Sequence, residues 1–336
     1  MNNIEITVVI CLYNAEKYIE ETLESLLKQS YKEFKLLIID DCATDDSLKV
    51  AEKYLQENSS VAYEIVRFEE NKGTAFGRNY ALNYVQTPLM LFFDADDIAK
   101  PNLLEKLYSK ISSDENLIAV SCHSKYIDME SNHIAGGQYI GPKTKEKFFT
   151  KAEEGKLIFM LPPTIFKREF AIKAGGYRLK GFAKGKPRYQ DLSEDLDMWS
   201  RMSDFYSSGK IMLTIPEVLF YYRKDTSSLS ASKESLIAMQ TKIRYIKTNL
   251  KRRRNGEEDL TFLEYIKTIK LSQKPKNYFK DNSAFYYRKA GFLYVNKSYL
   301  RFLYFITFSI VLNPSYIVDK FKSNIKNHPI KNNLNK

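Results

Sequence analysis

The segment Ile6–Asn14 (ITVVICLYN) is a run of β-branched and apolar residues that ends in a tyrosine and an asparagine. An uninterrupted apolar run of strand length is typical of a strand that is buried on both faces. Helical spacing of apolar residues follows over Ala15–Gln29, and another short apolar run follows over Phe34–Ile39. The opening of the chain therefore predicts a strand–helix–strand unit of a parallel sheet.

The same alternation of strand and helix patterns continues through the first half of the chain. Helical patterns at Asp45–Glu57 and Thr74–Val85 alternate with strand candidates at Val61–Phe68 and Leu89–Phe93, and Leu117–Cys122 is a fifth strand candidate. We therefore expect an α/β fold with a Rossmann-like, mostly parallel central sheet that helices cover on both faces.

The net charge of the 336-residue chain is +11, and it is concentrated at one end. Residues 261–336 contain 14 Lys and Arg against 3 Asp and Glu, whereas residues 1–260 contain 38 of each sign. Such a basic tail is typical of a protein that meets a polyanion, either a nucleic acid or an anionic membrane leaflet. A nucleic-acid-binding protein would need a basic binding face, which the neutral first 260 residues do not offer.

The sequence predicts neither secretion nor a membrane-spanning helix. The N-terminus lacks the basic region and cleavage site of a signal peptide. The most apolar run, Phe302–Leu312, has eleven residues, whereas a spanning helix needs about 20. Three scattered cysteines, Cys11, Cys42 and Cys122, form no disulfide framework. We therefore expect a cytoplasmic protein whose C-terminal helices are buried or interfacial.

Polar side chains follow the first two predicted strands, at the edge where parallel α/β sheets bind their ligands. Tyr13 and Asn14 follow the first strand, and Asp40 and Asp41 follow the second. A tyrosine ring can stack on a nucleobase, and the carboxylates can accept hydrogen bonds from a base or a ribose. The structural alternatives are a packing tyrosine and turn or cap chemistry for the aspartates.

Asp94-Ala95-Asp96 follows the apolar run Leu89–Phe93 and places two carboxylates at positions i and i+2. Such hard oxygen ligands suit Mg²⁺ or Mn²⁺, which would bridge to a diphosphate. A helix-capping role for Asp97, ahead of the helix that Pro101 opens, is the alternative.

Two further segments carry candidate chemistry. Asn71–Asn79 (NKGTAFGRN) opens a helix, where backbone N–H groups together with Lys72 and Arg78 can bind an anion. It matches neither the dinucleotide fingerprint nor the P-loop, so those classes lose their main support. Ser193–Trp199 (SEDLDMW) packs three carboxylates into four positions, and their repulsion raises the pKa of at least one and suits it to act as a base. An acidic helix start stabilised by the helix dipole is the alternative.

Taken together, five segments resemble the family 2 glycosyltransferases with the GT-A fold. They are Val8–Asn14, Leu37–Asp45, Asn71–Asn79, Phe93–Asp97 and Glu194–Trp199. The matches fall in the family's order and spacing over about residues 4–230, and Cys11 stands where the family usually has a proline.

The resemblance implies a nucleotide-sugar donor, most often a UDP-sugar in this family. The implied donor site consists of Cys11, Tyr13, Asn14, Asp40, Asp41, Lys72, Gly73, Arg78, Asp94 and Ala95. Tyr13 and Asp41 would hold the base, with Asp40 in support.

The resemblance also implies a divalent cation, Mn²⁺ or Mg²⁺, at the diphosphate. Asp96 would be the main metal ligand, and Asp94 would contact the ribose or the metal. Asp225 stands where the family often has a histidine near the diphosphate. It would be a third metal ligand, or else Arg223 and Lys224 would hold the phosphates.

Asp195, adjacent to Glu194, would be the catalytic base that deprotonates an acceptor hydroxyl. Direct attack by that hydroxyl inverts the anomeric centre, and the implied acceptor is a glycan or a lipid-linked glycan in cell-surface polysaccharide assembly. A sugar nucleotidyltransferase is the rival enzyme class. It would carry a glycine-rich basic loop after the first strand, where this chain has Asn14–Tyr18 (NAEKY).

Two regions follow from these patterns. Residues 1–235 form the expected GT-A catalytic domain, with a nucleotide-binding half at 1–122 and an acceptor half at 123–235. Residues 236–336 form a basic, aromatic, helical C-terminal extension. That extension either meets an anionic membrane surface, which makes the protein peripheral on the inner face of the cell membrane, or it caps the catalytic domain.

Overall fold

The described chain divides into two compact units. The computed structural model describes residues 4–185, 187–224, 232–295 and 297–327. Unit 1 comprises Met1–Lys180, Ser193–Lys224 and Ile246–Asp259, and unit 2 comprises Gly181–Leu192, Asp225–Tyr245 and Leu260–Lys336. The predicted boundary near residue 235 stays a prediction.

Unit 1 is built on one sheet, to which every strand of the described residues belongs. The strands are β1 (Ile6–Leu12), β2 (Phe34–Asp40), β3 (Tyr63–Arg67), β4 (Leu89–Phe92), β5 (Ile98–Ala99), β6 (Leu117–Ile127), β7 (His133–Gln138), β8 (Ile165–Lys167) and β9 (Ile211–Arg223). Their order is β3-β2-β1-β4-β8-β6-β9-β5, and β7 pairs with β6 outside that path.

The sheet has a parallel half and a mixed half. β1 runs parallel to β2 and β4, and β2 runs parallel to β3. β8 is antiparallel to both of its neighbours, β4 and β6, whereas β6 and β9 are parallel. The α/β fold predicted from the sequence is confirmed. The alternation of strands and helices in the first half of the chain did not predict the antiparallel strands.

The helices of the described residues flank the sheet or form unit 2. They are α1 (Ile19–Leu27), α2 (Ser47–Asn58), α3 (Thr74–Tyr84), α4 (Leu103–Ser112), α5 (Lys145–Glu153), α6 (Arg168–Lys173), α7 (Glu194–Met202), α8 (Lys233–Arg254), α9 (Phe262–Thr268), α10 (Gln273–Val295), α11 (Tyr299–Leu312) and α12 (Pro314–Asn327). Short 3₁₀ turns occur at Tyr189–Asp191 and Ser203–Ser208.

Burial of the parallel strands on both faces explains their uninterrupted apolar sequence. Val8, Val9, Ile10 and Leu12 of β1 have no exposed surface. α1 follows the same apolar periodicity that the sequence shows, and its buried residues pack into the same core. The core thereby fixes the carboxyl edge of the sheet, where the polar residues lie.

Unit 2 is mainly helical, and polar contacts cap one of its helices and join two others. Thr261 and Glu264 form a capping box at the start of α9. The Arg244 guanidinium donates to Asp281 Oδ1 at 2.7 Å. Within the described ranges, no single helix is long and apolar enough to cross a bilayer; Tyr299–Leu312 with Pro314–Lys320 passes that test only as a pair, bent by 115°.

Graded truncation of Ile10 measures what the buried β1 contributes. We expect Ile10→Val to cost about 0.5–1.5 kcal/mol and Ile10→Ala about 2–5 kcal/mol of unfolding free energy, because the larger truncation leaves a cavity. Urea unfolding followed by the fluorescence of Trp199, the single tryptophan, reports on unit 1. The exposed Lys53 of α2 provides the control, Lys53→Ala, and equal effects of Lys53→Ala and Ile10→Ala would contradict the buried placement.

Candidate active site

The sequence-predicted site residues of unit 1 meet at the carboxyl edge of its parallel strands. The loops after β1, β2 and β4 supply the polar side chains, and α3 and α7 begin beside them. This is the edge at which open α/β sheets bind ligands. Some of these side chains brace the site from within, and others face outward from it.

Asp41 fixes the start of α3. Its Oδ1 accepts a hydrogen bond from Lys72 N at 2.7 Å, and its Oδ2 accepts one from Gly73 N at 2.8 Å. Gly73 has φ +89, a conformation that only glycine adopts without strain. Two of the N–H groups predicted to bind an anion are thus engaged by Asp41. The predicted base contact of Asp41 stays a prediction.

Asp40 and Asn14 brace the neighbouring loops. Asp40 is fully buried, and its Oδ1 accepts from Ala43 N at 2.9 Å. The Oδ1 atom of Asn14 accepts from Thr44 N at 2.9 Å and so ties the loop after β1 to the loop after β2. Between these braces, the Tyr13 side chain is 47% exposed. Its ring is therefore accessible for stacking on a planar ligand.

The Asp94-Ala95-Asp96 loop carries two partly exposed carboxylates. Within the residues that the structure describes, no group of three His, Cys, Asp or Glu side chains could hold a metal ion. Asp225, the predicted third ligand, lies outside the described residues. Two carboxylates fit a cation that enters with a diphosphate, because Mg²⁺ is usually held by one or two carboxylates together with substrate phosphates.

Asp97, the next residue after this loop, is a third carboxyl group close to Asp94 and Asp96. It is buried, and its Oδ1 accepts from Arg223 N at 2.9 Å. Burial, followed by the charges of Asp96 and Asp94, raises the pKa of Asp97 well above its ordinary value. The negative charges of Asp94 and Asp96 therefore oppose the ionisation of Asp97. A divalent cation bound to Asp94 and Asp96 would weaken that repulsion.

Arg223 holds the Asp94–Asp96 loop against β9. Its Nε donates to the Asp96 carbonyl at 2.8 Å, and its Nη2 donates to Glu21 Oε2 at 2.7 Å. Its Nη1 donates to the Asp128 carbonyl at 2.9 Å, and the guanidinium lies 4.6 Å from the centre of the Tyr18 ring. These contacts occupy the guanidinium inside the protein. Arg223 is therefore a brace of the loop, and the alternative that it holds the diphosphate loses its support.

Arg78 joins the Asp94–Asp96 loop to the start of α7. Its Nη1 donates to Glu194 Oε1 at 2.8 Å, and its Nη2 donates to Asp94 Oδ1 at 3.1 Å. The guanidinium is almost fully buried and lies 5.4 Å from the centre of the Phe92 ring. Burial lowers the pKa of Arg78, but the charges around it, Glu194 first, hold it well above its ordinary value. Arg78 is thus a permanent buried cation between two carboxylates, a role that its place in the sequence did not indicate.

Asp195 lies next to this bridge, in the first turn of α7. Its Oδ1 accepts from Leu196 N at 2.6 Å. Burial raises the pKa of Asp195, and the Arg78 charge opposes that rise. A carboxylate with a raised pKa is a stronger proton acceptor than an ordinary surface aspartate. The residue before the helix start, Ser193, has φ +52, which is left-handed backbone, and the chain turns sharply there.

Cys11 packs behind the same bridge. Burial raises the pKa of its thiol to about 12, against the lowering effect of Arg78, so the thiol is neutral at physiological pH. A Cβ atom added at Gly77 would lie 3.1 Å from Cys11 Sγ, so α3 approaches β1 closely at this point. Cys11 therefore supports the site as a neutral, closely packed group.

Comparison with known proteins identifies the family. Residues 7–173 match the family described as Glycosyl transferase family 2. Glycosyltransferase GlyG of Streptococcus pneumoniae serotype 4 is 24% identical over 228 residues, which cover 67% of this chain and 72% of GlyG. Poly(ribitol-phosphate) beta-N-acetylglucosaminyltransferase TarS of Staphylococcus aureus is 36% identical over 102 residues, which cover 30% of this chain and 17% of TarS.

Two solved structures share the fold. S. aureus TarS 1–349 in complex with UDP-GlcNAc has a TM-score of 0.55 at 18% identity and covers 95% of this chain and 92% of that one. The mannosyltransferase PcManGT from Pyrobaculum calidifontis in complex with GDP-Man and Mn²⁺ has a TM-score of 0.56 at 18% identity, over 94% of this chain and 87% of that one. Residues 7–173 therefore form a glycosyl transferase family 2 domain on the GT-A fold, and the chain is a glycosyltransferase of that family.

Proposed function

We propose that the protein transfers a sugar from a UDP-sugar to an acceptor hydroxyl with inversion at the anomeric carbon. The observation that carries the proposal is the buried Arg78 bridge, which joins Asp94 to Glu194 beside Asp195. Arg78 therefore fixes Asp94, which would face the diphosphate, relative to the start of the helix that carries Asp195, which would act as the base. The structure of TarS in complex with UDP-GlcNAc supports a UDP-sugar as donor.

The donor nucleotide binds at the ends of β1 and β2 in this proposal. The exposed ring of Tyr13 stacks on the base, and Asp41, held by two backbone N–H groups, accepts a hydrogen bond from it. Asp40, Asn14 and Gly73 keep these loops in place. Loops that hydrogen bonds within the protein hold in place lose little conformational freedom on binding.

Asp94 and Asp96 would hold Mn²⁺ or Mg²⁺ against the diphosphate. When bound, the cation neutralises charge that develops on the departing nucleoside diphosphate. The complex of PcManGT with GDP-Man and Mn²⁺ supports a divalent cation in this fold. The Arg78 guanidinium partly neutralises the Asp94 carboxylate and orients it. The hydrogen bond from Arg223 to the Asp96 carbonyl holds the loop against β9.

Asp195 would act as the catalytic base. Its carboxylate takes the proton of the acceptor hydroxyl as the oxygen attacks the anomeric carbon from the face opposite to the diphosphate. The bond between that carbon and the diphosphate oxygen breaks, and its electron pair leaves with the nucleoside diphosphate. Burial of Asp195 supports this role because it raises the affinity of the carboxylate for the proton.

The proposed acceptor is a glycan or a lipid-linked glycan of a cell-surface polysaccharide. TarS, by its name, glycosylates poly(ribitol phosphate), and that relative supports an extended cell-surface polymer as substrate here. The site residues that the structure describes all belong to unit 1, which supports a catalytic region within residues 1–235. The proposed location is the inner face of the cell membrane, with the basic C-terminal region in contact with anionic lipid.

Removal of the metal tests the Asp94 and Asp96 assignment. We expect Asp96→Asn to abolish transfer and to weaken UDP affinity in the presence of Mn²⁺, because the cation loses its main ligand. Titration calorimetry of UDP with Mn²⁺ and with excess EDTA measures both effects. Asp46→Asn, at an exposed carboxylate that makes no capping bond, provides the matched control and leaves UDP affinity unchanged. Full transfer activity in excess EDTA would contradict the metal assignment.

Conversion of the two neighbouring carboxylates to amides separates base from positioning residue. Asp195→Asn removes the proton acceptor, so kcat falls by about 10²-fold or more while donor affinity survives. Glu194→Gln weakens the ion pair with Arg78 but keeps the Asp195 carboxylate, so we expect a smaller loss of kcat. Steady-state transfer assays and nucleotide titrations of both variants decide the question. An inactive Glu194→Gln beside an active Asp195→Asn would place the base one residue earlier.

The Arg78 charge sets the pH dependence of the base. Because its positive charge lowers the pKa of Asp195, Arg78→Met raises that pKa, and the acid limb of the kcat–pH profile moves to higher pH. Arg78→Lys keeps a charge at the position and moves the limb less. The profiles are measured at saturating donor, so that binding effects do not enter. If the acid limb of Arg78→Met coincides with that of the wild type, Arg78 does not tune the base.

A further inference from the structure

One face of α11 in unit 2 is apolar and exposed. Leu300 is 85% exposed and Val311 is 74% exposed, and Leu303, Tyr304 and Phe308 on the same stripe are also exposed. Their positions recur at three and four residues, which places them on one side of the helix. Scattered surface apolar residues need no explanation, but a continuous stripe along a helix marks an interaction surface.

The opposite side of α11 is already used inside unit 2. Ser283 Oγ donates to the Ser309 carbonyl at 2.8 Å, and Ser309 Oγ donates to the Ser283 carbonyl at 2.7 Å. The Tyr286 and Phe305 rings stack with centroids 5.9 Å apart. These contacts join α10 to α11 and fix the rotation of α11 about its axis. The packing of α11 against α10 therefore determines which side of α11 is exposed.

The charge around the stripe has one sign. α10 to α12, Gln273–Asn327, contain ten Lys and Arg against two acidic residues, Asp281 and Asp319. Asp281 is ion-paired with Arg244 at 2.7 Å, so most of the positive charge is uncompensated within this region. Arg301, on α11 itself, is exposed. An apolar helix face among cations is the composition of helices that lie in a lipid interface.

We propose that the α11 stripe is a membrane-docking surface that inserts into an anionic lipid leaflet, with α11 parallel to the membrane plane. This proposal rests on the membrane attachment in the proposed function and names the surface that makes it. If the proposal fails, the transferase assignment still holds. The apolar side chains enter the boundary between headgroups and acyl chains, and the basic residues contact the anionic headgroups. α11 has 14 residues, fewer than the about 20 that a crossing helix needs.

Charge favours lipid over a second copy of the chain as the occupant of this surface. In a two-fold symmetric dimer, the same patch faces itself, so the cations around one stripe would face those of the other. Like charges brought together across an interface are repulsive, whereas an anionic leaflet is complementary to them. The attachment would hold the transferase at a lipid-linked acceptor and would be reversible by salt.

The experiment uses the full-length protein and flotation with phosphatidylcholine vesicles, with and without phosphatidylglycerol. The wild type is expected to float with the anionic vesicles only, and to be released when salt is raised from about 0.1 M to about 1 M, where the Debye length falls to about 3 Å. Leu300→Gln and Leu303→Gln should each lower vesicle partitioning by about tenfold. Leu271→Gln provides the matched control, because Leu271 is 80% exposed but lies outside α11.

A tryptophan probe measures insertion directly. Trp199 of the wild type is buried in unit 1, so brominated lipids should not quench it. A tryptophan introduced by Leu300→Trp should be quenched by brominated lipid in anionic vesicles. UDP titration of every variant reports separately on the transferase site and on folding.

Three outcomes would overturn the proposal. They are no flotation of the wild type with anionic vesicles at low salt, equal partitioning of Leu300→Gln and Leu271→Gln, and an absence of quenching in the Leu300→Trp variant. Sedimentation velocity without lipid tests the other occupant. A dimer that Leu300→Gln converts to monomer, with no vesicle binding, would assign the stripe to a second copy.

Discussion

The buried ion pairs of Arg78 are the interaction on which the rest of this active site depends. A guanidinium with almost no exposed surface requires carboxylate partners, because an unpaired buried charge is costly. Its two partners are Asp94, which follows β4, and Glu194, which begins α7. The loop that would meet the diphosphate and the helix that carries Asp195 are therefore fixed relative to each other within unit 1. Neither of them can move without breaking a buried charge pair.

The remaining braces serve the same end, which is a donor site that is preorganised. Asp41 is held by the N–H groups of Lys72 and Gly73, and Arg223 holds the backbone of Asp96. Preorganised polar groups are effective in catalysis because their orientation does not have to be reached during the reaction. In the proposed mechanism Tyr13 and the Asp96 carboxylate do the binding, and the groups that are hydrogen-bonded within the protein keep them in position.

The parallel half of the fold, and the meeting of the polar loop residues at one edge of its sheet, could be predicted from the sequence because both depend on local patterns. Buried strands such as Ile6–Leu12 are continuous apolar runs, and carboxylates follow them at the ligand-binding edge. The three-residue β8 has no periodicity of its own, and it pairs with strands distant in sequence. Arg78 and Arg223 were open to interpretation as phosphate ligands because a sequence shows charge but not its partners. Only the folded chain shows that both guanidinium groups are occupied.

Product analysis by proton NMR tests the central claim most directly, namely that these strand-end residues turn over a nucleotide sugar with inversion. The wild type, Mn²⁺ and α-linked UDP- and GDP-sugars are incubated without acceptor, so that water takes the place of the acceptor hydroxyl. The proposed mechanism predicts that a UDP-sugar is hydrolysed and that the β-anomer of the free sugar appears first, before mutarotation. First release of the α-anomer would contradict inversion, and turnover of GDP-sugars alone would contradict the proposed donor.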